Sequence, residues 1–268
     1  MNVDTLYKML SFPTELIDIL RKHPYNLTEE QFKFFSAGMR NPSQYAETVK
    51  QLHSALQEDI NGYKMLNVLL QIACDTYEDY RAANIGDDVF IQTQKCFLRF
   101  TAEHKASFGV YGFDRWNWVG RQLSLQLFRI GELEYELSTL NDEKAISLHI
   151  PSDTDLLSEK VTRSLQSAKI FIKNHFPLYD EATYFCSSWL LSPALREVLP
   201  EKSKILDFAK RFTVIAHDDE PEDYKIWVYG RLDLSPEDFA EKTTLQRNLK
   251  KYVLAGGHVG ETTGILNF

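Results

Sequence analysis

Cysteine is scarce in this chain of 268 residues, and long apolar runs, excess positive charge and metal-ligand spacings are missing. Each absence closes off a class of protein. Cys74, Cys96 and Cys186 are odd in number and widely spaced, which excludes a disulfide framework and a zinc knuckle. The most apolar run, Leu66 to Cys74, is interrupted by Asn67 and Gln71 and falls short of the roughly 18 residues that cross a bilayer. Lys and Arg number 30 against 38 Asp and Glu, for a net charge of −8. Binders of phosphate backbones need a basic face, so nucleic acid is not an expected partner, and neither is a membrane. The opening Met1-Asn2-Val3-Asp4 has neither a basic nor an apolar leader region, so a cytoplasmic protein is expected. His23, His53 and His104 stand at no spacing that a metal uses and read as surface or structural residues.

Hydrophobic residues at 44 % and charged residues at 25 % suit a soluble globular protein, and the length holds one large domain or two modest ones. From Thr14 to about Gln126 helical periodicity recurs with little alternation. Thr28 with Gln31 forms a capping-box pattern, and Asn41 before Pro42 predicts another helix start. Leu66, Leu69, Leu70, Ala73, Tyr77 and Tyr80 share one helical face. Asp87 or Asp88 caps a further helix, apolar nearly all round from Val89 to Phe100. Gly109 and Gly112 break the helical pattern. The aromatics beyond them, Trp116 and Trp118 among them, seal a joint to the second half or line a pocket.

The second half mixes strands and helices. Leu133, Tyr135 and Leu137 alternate with glutamates, Ile146, Leu148 and Ile150 alternate with Ser147 and His149, and Ser138 to Lys144 is short and polar. That pattern predicts an antiparallel hairpin ended by Pro151. Its register sets Leu137 against Ile146, Tyr135 against Leu148 and Leu133 against Ile150. His149 then lies opposite Glu134, and Ser147 opposite Glu136. A carboxylate beside an imidazole fixes its tautomer and raises its basicity, which general-base chemistry needs. The same pattern also describes an ordinary polar pair on a wet sheet face.

Further along, a helix is expected from a Ser158 cap to about Asn174, then a strand from Thr183 to Leu191 with Cys186 and Ser188 on one face. A long strand, Ile205 to Ala216, turns through His217-Asp218-Asp219-Glu220-Pro221 into a strand at Tyr224 to Tyr229, a second hairpin. The final helix is capped by Thr243 with Gln246 and ends at Gly256. An α+β protein of two domains is expected: an all-helical N-terminal domain over 1–124, and a C-terminal domain over 125–268 with a mainly antiparallel mixed sheet.

Four stretches carry a resemblance: Ile146-Ser147-Leu148-His149-Ile150-Pro151-Ser152; Cys186-Ser187-Ser188-Trp189-Leu190-Leu191; Ser203-Lys204-Ile205-Leu206 with Lys210-Arg211-Phe212; and Thr243-Thr244-Leu245-Gln246-Arg247 with Ala255-Gly256-Gly257-His258. Together they resemble a bacterial family of acyltransferase domain-containing proteins, which pair a helical acyltransferase N-terminal domain with a GNAT-like C-terminal domain. The resemblance covers essentially the whole chain, and Arg129-Ile130-Gly131 marks the start of its second half. It implies a GNAT-like α/β fold there. It also implies transfer of an acyl group from acetyl-CoA or another acyl-CoA to an amine or hydroxyl of a small acceptor. GNAT enzymes usually hold the pyrophosphate of coenzyme A with a glycine loop at a helix N-terminus. No glycine here is followed two positions later by Gly or Ala, so that loop is absent in its standard form. Gly256-Gly257-His258-Val259-Gly260 follows a helix, where the dipole is negative, and reads as a C-cap.

Three chemistries fit that resemblance. In direct transfer, His149 assisted by Glu134 removes the acceptor's proton, and Arg211 or Arg247 holds an acidic part of donor or acceptor. In a ping-pong scheme Cys186 takes the acyl group, with His258 or His149 as its base, although a cysteine among apolar strand residues is more often inert core. In the third the chain is a non-catalytic GNAT-like scaffold that binds a small ligand or a protein partner. Trp189, Ser188 and Trp116 are the remaining ligand-side candidates. The sequence sets no acceptor, acyl length or oligomeric state.

Overall fold

The apolar spacing of the first half folds into helices α1 (Val3–Leu10), α2 (Thr14–Lys22), α3 (Glu29–Met39), α4 (Tyr45–Ala55), α5 (Tyr63–Ala82), α6 (Asp87–Gln94), α7 (Cys96–Phe108) and α8 (Gly120–Leu123), with strand β1 (Leu127–Ile130) after them. These elements come from a computed structural model that describes residues 1–268 and separates into two units, Met1–Ile130 and Gly131–Phe268. No helix is long and apolar enough to cross a membrane.

Helix α5 is the axis of the first unit. Leu66, Leu69, Leu70, Ala73 and Tyr80 are buried along the predicted stripe, and Val68, Ile72 and Cys74 are buried as well, so the helix is enclosed on more than one side. Each such aliphatic side chain contributes about 1.5–3 kcal/mol on leaving water. The Thr28 capping box forms both of its bonds, Gln31 N to Thr28 Oγ1 at 3.2 Å and Thr28 N to Gln31 Oε1 at 2.9 Å. Asn41-Pro42 does not open a helix. Asn41 Oδ1 accepts from the Ser43 amide at 2.9 Å, a local turn that competes with helix, and α4 begins only at Tyr45. The helix expected from Asp87 is two, α6 and α7, parted at Lys95, and Gly86 rather than an aspartate stands at the N-cap. Strand β1 belongs with these helices: Arg129 N donates to Thr93 Oγ1 at 2.9 Å and the Phe128 ring lies 5.8 Å from that of Tyr80.

The second unit contains β2 (Leu133–Leu140), β3 (Glu143–His149), α9 (Ser158–His175), β4 (Thr183–Ser188), α10 (Leu195–Val198), α11 (Lys204–Ala209), β5 (Phe212–Asp218), α12 (Tyr224–Tyr229), α13 (Thr244–Leu254) and β6 (Glu261–Leu266). Its strand order is β2-β3-β4-β6-β5. Every junction is antiparallel except β3–β4, which is parallel and bridged by α9, the helical crossover that a parallel pair requires. The first hairpin has the expected register, with Glu134, Tyr135, Glu136 and Leu137 opposite His149, Leu148, Ser147 and Ile146. Asn141 and Asp142, both at positive φ (52° and 65°), form its two-residue turn, whose twist matches the strands. Helix α9 covers the apolar face of this hairpin, burying Val161, Leu165, Ala168 and Ile172 and setting Ser164 Oγ 2.8 Å from Tyr135 Oη.

Several expected elements differ. The proposed strand from Ile205 to Ala216 is the helix α11 followed by β5; Ser203 caps that helix by accepting from Ile205 N at 3.2 Å. The segment Tyr224 to Tyr229 is α12, ended by Gly230 at φ 84°, so no second hairpin exists there. Strand β5 pairs instead with β6, which the sequence reading missed. The Thr183 strand stops at Ser188, and Trp189–Leu191 is one 3-10 turn. Ser158 is the first residue of α9 and not its cap. Trp189, Leu195, Tyr224, Phe239, Leu249 and Val259 close a second apolar core between the strands and the last helices. The Thr243 capping box forms as expected, with Gln246 N on Thr243 Oγ1 at 3.1 Å. Strand β5 ends the sheet with a bulge between Val214 and Ala216, where Val214 and Ile215 are 49 % and 47 % exposed.

Candidate active site

Residues directly opposed in a ladder share a face. Glu134, Glu136, Ser147 and His149 therefore lie on the face of the β2–β3 hairpin turned away from α9. Across the parallel junction Ser147 is level with Phe185, and along the next one Ser187 is level with Thr263, which extends the same face onto β4 and β6. This face is polar yet largely out of bulk water. Glu134 and Ser147 are 2 % and 8 % exposed.

His149 Nε2 lies 2.7 Å from Glu136 Oε2, with side chains 21 % and 17 % exposed. The sequence reading gave this part to Glu134, which is directly opposite. Glu136 sits one step along the same face, and at that step a long side chain reaches diagonally. The pairing is a short contact that orients the ring and sets which of its nitrogens carries the hydrogen toward Glu136.

The backbone around the imidazole has a second property. The β3–β4 ladder runs through Ala145↔Thr183, Ile146↔Tyr184 and Ser147↔Phe185 and stops, although β3 continues to His149 and β4 to Ser188. Pairing between the two strands thus ends at Ser147 and Phe185, and His149 lies two residues past the last pair, where we place the gap.

The remaining predicted residues are dispersed. Cys186 is fully buried, and desolvation pushes its thiol up to about 12. A thiol so held is protonated and shielded from an acyl donor, which argues against the ping-pong role. Ser188 accepts from Leu190 N at 3.1 Å and caps the 3-10 turn, and Trp189 is 8 % exposed in the apolar core. Arg211 Nη2 donates to Ser158 O, Ser158 Oγ and Thr162 Oγ1 at 2.9, 2.6 and 3.0 Å, fastening the start of α9. Arg247 donates to Glu241 O at 2.9 Å and to Thr244 Oγ1 at 3.1 Å on an exposed surface. His258 is exposed and follows α13. In the first unit the Trp116 ring stacks on His53 with centroids 4.4 Å apart. His23 Nδ1 and His104 Nδ1 bond the backbone carbonyls of Ile19 and Val110, the structural roles expected of them.

The start of α9 is strongly charged. Asp155 accepts from Lys160 and Lys204, each at 2.9 Å, and the two ammonium groups hold its carboxyl down at about 2. Beside it a cavity of about 180 Å³ is lined by Gly131, Glu132, Lys160, Arg163, Ser164 and Ser167. Glu136, Ser187, Thr263 and the lysines were not singled out in the sequence. Parity along β2 offered a hint for Glu136 alone.

A mixed sheet with a single parallel junction that parts at one end, crossed by a helix and carrying a carboxylate-held imidazole beside the gap, defines a GNAT-like fold. Family comparison agrees. Residues 127–266 match the GNAT-like C-terminal domain and residues 1–125 match the N-acyltransferase N-terminal domain, and the chain belongs to this acyltransferase family. Solved structures similar over the whole chain include an acyltransferase in complex with decanoyl-CoA and teicoplanin, 20 % identical, with a TM-score of 0.72 and 99 % of each chain covered. Another is an acyltransferase with CoA and 10C-teicoplanin, 20 % identical, TM-score 0.73, covering 100 % of this chain and 99 % of that one. A third is an acyltransferase variant in complex with octanoyl-CoA, 19 % identical, TM-score 0.73, covering 100 % of both chains. No curated protein matches the chain.

Proposed function

We propose that this chain transfers an acyl group from an acyl-CoA thioester directly to an amine or hydroxyl of a small acceptor, with His149 as general base and Glu136 as the group that orients it. The contact of 2.7 Å between them, at the point where β3 and β4 part, carries the reading. The acceptor attacks the thioester carbon while the imidazole takes its proton, and Glu136 stabilises the imidazolium. The intermediate then collapses, the carbon–sulfur bond breaks, and the thiolate leaves with the electron pair and receives the proton from His149. Unpaired backbone beyond Ser147 and Phe185 supplies amide and carbonyl groups along the donor's path. Lys160, in the first turn of α9, and Lys204, at the start of α11, both bonded to Asp155, are the cations assigned to the donor's phosphates in place of a glycine loop. The likeness to structures holding decanoyl-CoA and octanoyl-CoA makes these the first donors to test.

The test is thiol release from acyl-CoA in the presence of an amine panel, read with a thiol dye. His149→Gln is expected to lower kcat at least about 100-fold. Glu136→Gln, which loses one charge-assisted bond, is expected to lower it about 10- to 100-fold. Equal rates in wild type and His149→Gln would remove the imidazole from the mechanism. The missing glycine loop favours a second reading, a non-catalytic scaffold that binds a small ligand. Calorimetry with coenzyme A separates the two, because absent binding together with absent thiol release leaves only the scaffold.

A further inference from the structure

The polar face carries a pair of hydroxyls for which direct transfer, as set out above, has no use. Ser187 lies two residues past Phe185 on β4, as His149 lies two residues past Ser147 on β3; two-residue periodicity keeps each on the face of the last paired residues, Ser147 and Phe185, one step beyond that pair. Ser187 Oγ is 2.7 Å from Thr263 Oγ1. Both residues are half-buried, whereas Cys186, Thr262 and Gly264, which point to the other face, are buried. Two hydroxyls that share one hydrogen bond use only one of their two protons. The other proton has no acceptor within the protein, and when Thr263 donates to Ser187 it sits on Ser187 at the gap.

We propose that Ser187 is a catalytic residue of the acyl transfer, donating its O–H to the thioester carbonyl oxygen, with Thr263 as the positioning residue that sets its proton. The inference rests on the acyl-transfer reading. When the acceptor attacks, the C=O π pair moves onto oxygen, the acceptor's proton goes to His149, and Ser187 keeps its proton while bonding the oxyanion. On collapse that pair re-forms C=O and the thiolate departs. A donor aimed at the developing charge lowers the barrier, because its bond strengthens as charge grows. Its removal therefore falls on kcat and spares KM.

Steady-state transfer from decanoyl-CoA to an amine that the wild type accepts tests this, with circular dichroism to confirm that each variant is folded. Ser187→Ala is expected to lower kcat roughly 100-fold, the loss typical of one oxyanion donor. Its KM for decanoyl-CoA should stay within about twofold, as for an interaction made only in the transition state. Thr263→Val is expected to lose less, about 3- to 10-fold, and Ser187→Thr, which restores a hydroxyl, should recover most of the rate. An active wild type with Ser187→Ala at the same kcat overturns the inference and leaves the acyl-transfer reading intact. So does a raised KM with unchanged kcat, which would make Ser187 a ground-state contact. A wild type that releases no thiol from any donor overturns both.

Discussion

Replacing Ser164 by alanine tests the joint that fixes which face of the hairpin is turned toward the gap. Ser164 is 2 % exposed, and its Oγ lies 2.8 Å from Tyr135 Oη and 3.3 Å from Leu133 N. The substitution strands a phenol that is fully buried, together with a strand amide. An orphaned buried group costs about 1–3 kcal/mol; with about 2 for the phenol and about 1 for the longer amide bond, Ser164→Ala should lose roughly 3 kcal/mol. Tyr135→Phe removes the phenol and leaves Ser164 on Leu133, so only a net hydrogen bond is lost, about 1 kcal/mol. In the Tyr135→Phe background Ser164→Ala strands the amide alone, and the coupling between the two sites comes to roughly 2 kcal/mol. Urea unfolding of the four proteins, followed by circular dichroism and tryptophan fluorescence, measures it. If Ser164→Ala costs the same in both backgrounds, the hydroxyl pair does not tie α9 to the sheet.

Asp155 gives a pH signature. Its folded carboxyl titrates at about 2, below its ordinary 3.8, because Lys160 and Lys204 hold it ionised. The stability it adds is therefore full above the ordinary value and is lost as pH falls from there toward about 2; urea midpoints between these limits should drop less for Asp155→Asn than for wild type. Cys186, its thiol up at about 12, should resist a thiol reagent in the native protein and react only on unfolding, and mass spectrometry after acyl-CoA exposure should find no adduct there. At Gly260, φ is +62° and a Cβ would lie 2.1 Å from the Asp218 carbonyl oxygen. Gly260→Ala should therefore destabilise the β5–β6 pair by more than about 2 kcal/mol in the same urea assay.

Alternation over six or more residues was enough to read the register of the β2–β3 hairpin from Glu134 opposite His149 to Leu137 opposite Ile146, because a slip of one would expose its whole apolar set. The polar stretch read as a loop, Ser138 to Lys144, instead continues both strands and leaves only Asn141 and Asp142 as the turn, and Ile150 lies beyond the ladder. Tyr224-Lys225-Ile226-Trp227-Val228-Tyr229 has the composition of a strand, and its helical state follows from packing of Tyr224 and Tyr229 against Phe239, ten or more positions away. No local pattern records that. Ile205 to Ala216 looked continuous because its apolar residues bridge two elements; Ser203, the N-cap directly before α11, was the overlooked signal. In the site, the strand face of His149 was legible and the identity of its carboxylate was not, since sequence gives parity and not diagonal reach. Ser187 and Thr263 meet only because β6 returns beside β4, a pairing set by the whole sheet.

The kink in β5 has a bearing on how the molecule behaves in a crowd. A terminal strand with apolar side chains bare on it offers its spare amides and carbonyls to any similar strand that drifts past. The extra residue near Ile215 throws those groups out of line with a straight neighbour, and the charged end at Asp218 repels a like copy. Deleting Ile215 would straighten that margin, and with it the protein would lose its defence against stacking side by side into aggregates.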